Sequence, residues 1–168
     1  MNYFELYNIP VSFLPDRQQL KQKFYELSRR YHPDFYTQEN ESEQGQSLEI
    51  SSQVNKAYKV FQNKDETIKY LLQLKGLLEE EEKYQLPPDF LIDMMELNEQ
   101  LTDAKMEENP SEIAALKSTI ENKEKEIYAP VWDIVENYQE GKTTIEKLLK
   151  VKEYYFKKKY LNRILATM

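Results

Sequence analysis

Residues 21–34 read KQKFYELSRRYHPD, and the rest of the chain takes its meaning from this stretch. Leu20, Phe24, Leu27 and Tyr31 recur at spacings of four, three and four, which predicts a helix with one apolar face. In front of it, Pro15-Asp16 offers an N-cap, with Gln19 three positions on as its partner in a capping box. Pro33 ends the helix, because proline disfavours helical geometry in the residue before it. The same proline fixes one backbone dihedral, so His32 and Asp34 on either side of it are presented in a defined geometry.

His32 is the only histidine in 168 residues, and the chain has no cysteine. A metal site needs several ligands, so the residues point to neither a metal nor a cofactor. No serine or threonine is singled out as a nucleophile beside the imidazole, so an enzyme is not expected. Two readings of the tripeptide remain: a surface or capping histidine, or a recognition corner whose Asp34 pairs with an arginine of a partner. Lys21, Lys23, Arg29 and Arg30 decorate the preceding helix in a chain whose net charge is −7. That local reversal of sign can steer an acidic partner, although amphipathic helices commonly carry such residues.

Working outward, Tyr3, Phe4, Leu6 and Tyr7 predict a short first helix stopped near Pro10. The polar run FYTQENESEQGQ, residues 35–46, reads as a loop. Ile50, Val54, Ala57, Tyr58 and Phe61 predict a helix able to pair antiparallel with the earlier one, and ETIKYLLQL predicts a last short helix before Gly76. Residues 77–88, LLEEEEKYQLPP, break the pattern through repulsion between consecutive Glu residues and through Pro87-Pro88, and read as an acidic, proline-bearing linker.

Beyond the linker, residues 89–168 read as a three-helix bundle. The first helix ends near residue 108. Asn109-Pro110-Ser111-Glu112 caps the second, which Pro130 should kink or split before Gly141 closes it. Thr143-Thr144-Ile145-Glu146 supplies a capping box for the third. On the first of these helices Phe90, Met94, Leu97 and Leu101 form the core stripe. Leu91, Ile92 and Met95 point elsewhere, bordered by Glu96 and Glu99, as a second apolar patch. Such a patch either packs within the protein or contacts a partner, and methionine suits an adaptable contact.

The bulk properties agree with this all-α class. Charged residues reach 32 % and there are only three glycines, a mixture suited to long amphipathic helices. A sequence pI near 5.0 argues against general nucleic-acid binding. No apolar run approaches the ~20 residues of a membrane span. The N-terminal MNYFELYNIP has the pattern of neither a signal peptide nor a transit sequence, so a cytoplasmic location is expected.

The motif KQKFYELSRRYHPD on the second helix, with VNKAYKVF on the third, resembles a J-domain. The opening NYFELYNIP, the segment ETIKYLLQLKG and the helix FLIDMMELNEQL extend the resemblance to the HscB family of J-domain co-chaperones of iron–sulfur cluster biogenesis, in order and over essentially the whole chain. The resemblance implies an N-terminal J-domain, residues 1–76, built as a helical hairpin with flanking short helices. It also implies a co-chaperone that stimulates the ATPase of a DnaK/HscA-type chaperone and delivers an IscU-type scaffold protein to it.

The family's working residues carry over as His32, Pro33 and Asp34 for the chaperone, with Lys21, Arg29 and Arg30 as electrostatic contacts. Leu91, Ile92, Met95, Glu96 and Glu99 carry over for the scaffold, with an aromatic of the last helix, Tyr155 or Phe156. The sequence departs from the family at Tyr25 and Glu26, where many J-domains are basic, and at Asp103 and Ala104, near where relatives carry a basic residue. A J-domain protein with a different client, or a helical interaction protein unrelated to chaperones, is the alternative.

Overall fold

The computed structural model describes residues 1–32, 34 and 41–168, and among them there are eight α-helices and no strand. In chain order these are α1 (Tyr3–Tyr7), α2 (Arg17–Arg30), α3 (Glu41–Gln62), α4 (Lys64–Leu74), α5 (Pro88–Met106), α6 (Pro110–Tyr128), α7 (Trp132–Glu136) and α8 (Ile145–Ala166). The chain divides into two compact units. One comprises residues 1–76 with 138–142, the other residues 77–137 with 143–168.

In the first unit Asp16 caps α2 as expected, through the forward bond of the capping box alone, and Asn63 adds a cap that was not anticipated. The Asp16 side chain accepts from the Gln19 amide at 2.8 Å, and that of Asn63 accepts from the Glu66 amide at 3.0 Å to open α4. A full capping box stands at the start of α1, where the side chains of Asn2 and Glu5 each accept from the other's backbone amide. Gly76 closes α4 with a φ of 72°, a left-handed value that glycine adopts without a Cβ penalty.

Helix α3 corrects the expected loop, because it begins at Glu41 and so takes residues 41–46 into the helix. Residues 35–40 lie outside the described residues. Helices α2 and α3 pack together, with the rings of Phe24 and Tyr58 stacked 4.1 Å apart. The core gathers Phe4, Tyr7, Leu20, Val54, Phe61 and Leu72, each at most 5 % exposed. Full burial of an aliphatic or aromatic side chain of this size contributes about 1.5–3 kcal/mol. Tyr7 keeps its hydroxyl satisfied by donating to the Val54 carbonyl at 2.7 Å, and burial pushes its pKa well above the usual tyrosine range. Residues 138–142 belong here through the edge-on contact of Tyr138 with Phe13 and the ion pair of Glu140 with Lys75.

In the second unit, α5, α6 and α8 form the bundle and α7 packs on α8. Of the two outcomes expected at Pro130, a kink or a split, the second helix shows the split. It ends at Tyr128, and after Pro130 the chain resumes as the five-residue α7, which opens on the half-exposed Trp132. Asn109 caps α6 as expected, accepting from the Glu112 amide at 3.2 Å. The cap of α8 sits one residue later than the Thr143–Glu146 spacing suggests: Thr144 accepts from the Lys147 amide at 3.3 Å. Of residues 77–88, expected as a linker, 77–87 form no helix and Pro88 opens α5, and the whole stretch lies within the second unit. There Leu78 is buried, Tyr84 stacks on Phe156 at 4.5 Å, and Glu82 pairs with Lys152 at 2.7 Å.

Candidate functional site

Two separate surfaces carry the candidate residues. The first lies at the C-terminal end of α2. Arg29 and Arg30 occupy its last turn, where the negative end of the helix dipole favours cations, and both are exposed, as is Lys21 one face back. Tyr31 caps the helix, its amide donating to the Leu27 carbonyl at 3.0 Å. The Tyr31 carbonyl in turn accepts from the hydroxyl of Ser47, a polar residue only 4 % exposed, at 3.1 Å. This bond ties the end of α2 to α3 immediately before His32.

The corner itself stands in water. The side chains of His32 and Asp34 are 53 % and 85 % exposed. The Asp34 amide donates to His32 Nδ1 at 3.2 Å, while Asp34 Oδ2 lies 3.5 Å from the same nitrogen. Nδ1 has a single in-plane position to offer. With its proton on Nε2 the neutral ring accepts the amide hydrogen at Nδ1, and with a proton on Nδ1 it donates toward the carboxylate. Either state holds imidazole and aspartate side by side. Pro33, placed by the sequence between them, lies outside the described residues. Tyr25 and Glu26, the departures from the basic pattern, are both exposed on α2. They therefore dilute its positive surface rather than serve the core.

The second surface is on α5. Phe90, Met94 and Leu101 are at most 6 % exposed, with Leu97 half-buried beside them, so the core stripe is in place. Ile92 and Met95 are 54 % and 65 % exposed, Leu91 is half-buried, and Glu96 and Glu99 are exposed. These five residues share one sector of the helix, because steps of 100° place Met95, Glu99, Ile92 and Glu96 successively around from Leu91. Apolar side chains left in water within a charged border have the composition of a contact surface.

Of the two aromatics offered as alternatives for this surface, Tyr155 faces inward. It is 8 % exposed and packs edge-on against Phe156 within the second unit. Phe156 is equally buried but borders the α5 face, since it lines a depression of about 430 Å³ together with Leu91, Tyr84 and Tyr160. Tyr84 and Tyr160 were not among the expected residues; Tyr84 lay in the stretch read as linker. Ala104, one of the departures on α5, is buried at 2 % exposure, so a basic side chain has no room there without rearrangement.

Among the described residues no group of three or more His, Asp or Glu side chains is placed to hold a metal ion, and no helix is long and apolar enough to cross a membrane.

Comparison with known proteins brings both surfaces under one family. Residues 86–168 match the family model described as the HSCB C-terminal oligomerisation domain. The chain is 35 % identical over 156 residues to the mouse iron-sulfur cluster co-chaperone protein HscB, covering 92 % of this chain but 64 % of that relative. It is 38 % identical over 125 residues to the co-chaperone protein HscB of Buchnera aphidicola, covering 73 % of this chain and 72 % of the relative. The crystal structure of human co-chaperone protein HscB superposes with a TM-score of 0.81 at 30 % identity, over 99 % of this chain and 80 % of that one. An N-terminal J-domain followed by a C-terminal helical domain is the architecture of these relatives and of this protein, and the chain belongs to the HscB family of co-chaperones.

Proposed function

We propose that this protein stimulates the ATPase of a DnaK/HscA-type chaperone through the His32–Asp34 corner and delivers to it an IscU-type iron–sulfur cluster scaffold held on α5, in a cytoplasmic setting. The observation that carries this reading is the corner's exposure. Asp34, at 85 %, is free to reach a cation on a partner, while the Ser47–Tyr31 bond fixes the end of the helix from which it projects. A carboxylate paired with an arginine makes about twice as strong a hydrogen bond as a neutral pair. Lys21, Arg29 and Arg30 would steer an acidic chaperone surface toward that contact.

The hydrolytic chemistry belongs to the chaperone. Docking of the corner acts by binding one chaperone conformation better than the other, and it can shift the equilibrium only by that difference in affinity. The α5 face supplies the second contact through Leu91, Ile92 and Met95, with Glu96 and Glu99 selecting a cationic margin on the scaffold. Phe156 adds an aromatic edge beside Leu91. One chain bearing both contacts raises the effective concentration of the scaffold at the chaperone.

The test is single-turnover ATP hydrolysis by the chaperone with wild type and His32→Gln, each with and without the scaffold. Stimulation by wild type and its loss in the variant, with an unchanged circular dichroism spectrum, support the reading. Normal stimulation by the variant rejects it.

A further inference from the structure

The depression beside Leu91 has a chemistry of its own. Its floor is aromatic: Tyr84 and Phe156 lie parallel, 4.5 Å apart with 3° between their planes, and Tyr160 stands beside them. Its rim is cationic, formed by the exposed side chains of Lys83, Lys159 and Arg163. The Lys159 ammonium stands 6.0 Å from the centre of the Phe156 ring. The one carboxylate in the lining, Glu82, is already paired with Lys152 at 2.7 Å, and its pKa is lowered because hydrogen bonds from Lys152 and the Glu79 amide outweigh the opposing effect of burial. Among the described residues no carboxylate pairs with Lys83, Lys159 or Arg163. Three cations with no anion of their own, in a chain of net charge −7, mark a local excess that a ligand can neutralise.

We propose that this aromatic-floored, lysine- and arginine-rimmed depression seats an acidic segment of the protein that docks on α5, one that lays an apolar side chain on Phe156 and points a neighbouring Asp or Glu at Lys159 and Arg163. The proposal rests on the reading of Leu91, Ile92 and Met95 as a docking face and adds the partner's charge pattern. Leu91 and Glu96 are about 140° apart on the helix, so they mark opposite margins of the face. The α8 margin asks for a carboxylate, and the Glu96 margin asks for a cation. A partner that met both would bind in one orientation only, since the reversed pose puts like charges together. Aromatic and arginine anchors at the edge of an apolar contact are the groups that most often dominate interface energetics.

Isothermal titration of an IscU-type scaffold from the same cell into the full chain tests this. The variants are Lys159→Glu with Arg163→Glu, the milder Lys159→Gln with Arg163→Gln, and separately Leu91→Ala with Met95→Ala. Charge reversal should weaken binding by about 10- to 100-fold, the range of a lost hydrogen bond to a charged group. The glutamine pair should lose less, and the salt dependence of binding should shrink in both. If both charge variants bind as tightly as wild type while the Leu91/Met95 variant binds weakly, the acidic-segment proposal is wrong and the docking face stands. If the Leu91/Met95 variant also binds normally, the docking face falls and takes the proposal with it. Loss of binding to phosphatidylserine-containing vesicles, with scaffold affinity unchanged, would assign the cations to a lipid surface and overturn the proposal.

Discussion

The end of α2 and the outer face of α5 are both exposed, yet they are built on opposite principles. At the end of α2 the exposed groups are polar, small in area and held by bonds behind them: the Tyr31 amide to Leu27, and Ser47 to Tyr31. On α5 the exposed groups are Ile92 and Met95, which make no polar bond and gain only by being covered. The first surface works by direction and charge, so its affinity should be modest and sensitive to salt. The second works by area, at about 25 cal/mol per Å² of apolar surface removed from water. Under the proposed function, separating the two would let one chain hold a cargo through an apolar contact while touching a chaperone briefly.

The most severe way to break this contrast is at the corner. His32→Gln or Asp34→Ala should abolish nearly all stimulation of chaperone ATP turnover while leaving scaffold affinity within error, because both side chains are largely in water and lie outside the α5 face. A parallel loss of scaffold binding in those variants would show that the two surfaces are not independent. Next in size, Leu91→Ala with Met95→Ala should weaken scaffold binding by ~2–4 kcal/mol, the range of buried interface anchors, with little change in melting temperature. A large fall in thermal stability with unchanged affinity would place these side chains in the core instead.

Smaller still is the response to salt. Raising the ionic strength from about 0.1 to 1 M shortens the Debye length from ~10 to ~3 Å. It should weaken chaperone docking more than scaffold docking, and equal sensitivity would erase the distinction. The smallest effect concerns stability. The Tyr128 hydroxyl is raised to about 12 by burial first, then by the charge of Glu136 and its hydrogen bond. A group that holds its proton more tightly when folded contributes stability that is intact below the unfolded value near 10 and lost as the pH climbs toward 12. Alkaline unfolding followed by circular dichroism should therefore be shallower in Tyr128→Phe than in wild type over that window.

How much could be read in advance differs between the regions for physical reasons. Helix α2 was legible because Leu20, Phe24, Leu27 and Tyr31 repeat at helical spacing between an Asp16 cap and a proline stop. The beginning of α3 was not, because residues 41–46 include no large apolar side chain and helical periodicity cannot be seen in ESEQGQ. Its inward-facing member there is Ser47, whose signal is one hydroxyl in a polar run. The apolar sector of α5 was legible because its wheel carries two stripes, only one of which a small bundle can bury. On α8 that logic fails. Tyr154, Tyr155 and Phe156 are consecutive and all buried, so the helix is covered on more than one side and no single stripe tells which aromatic reaches the surface. That Phe156 borders Leu91 follows from tertiary packing with Tyr84, a residue in a stretch whose charges and prolines advertise a linker.

Trp132, at the head of α7, is the sole indole in the chain, and it sits half-exposed in the second unit. Excitation near 295 nm therefore selects a reporter that sits in the C-terminal unit, with no dye and no substitution. Bundle melting can be followed by emission from this native fluorophore, and so could the cargo capture proposed for α5, while the proposed chaperone engagement would be watched through nucleotide turnover.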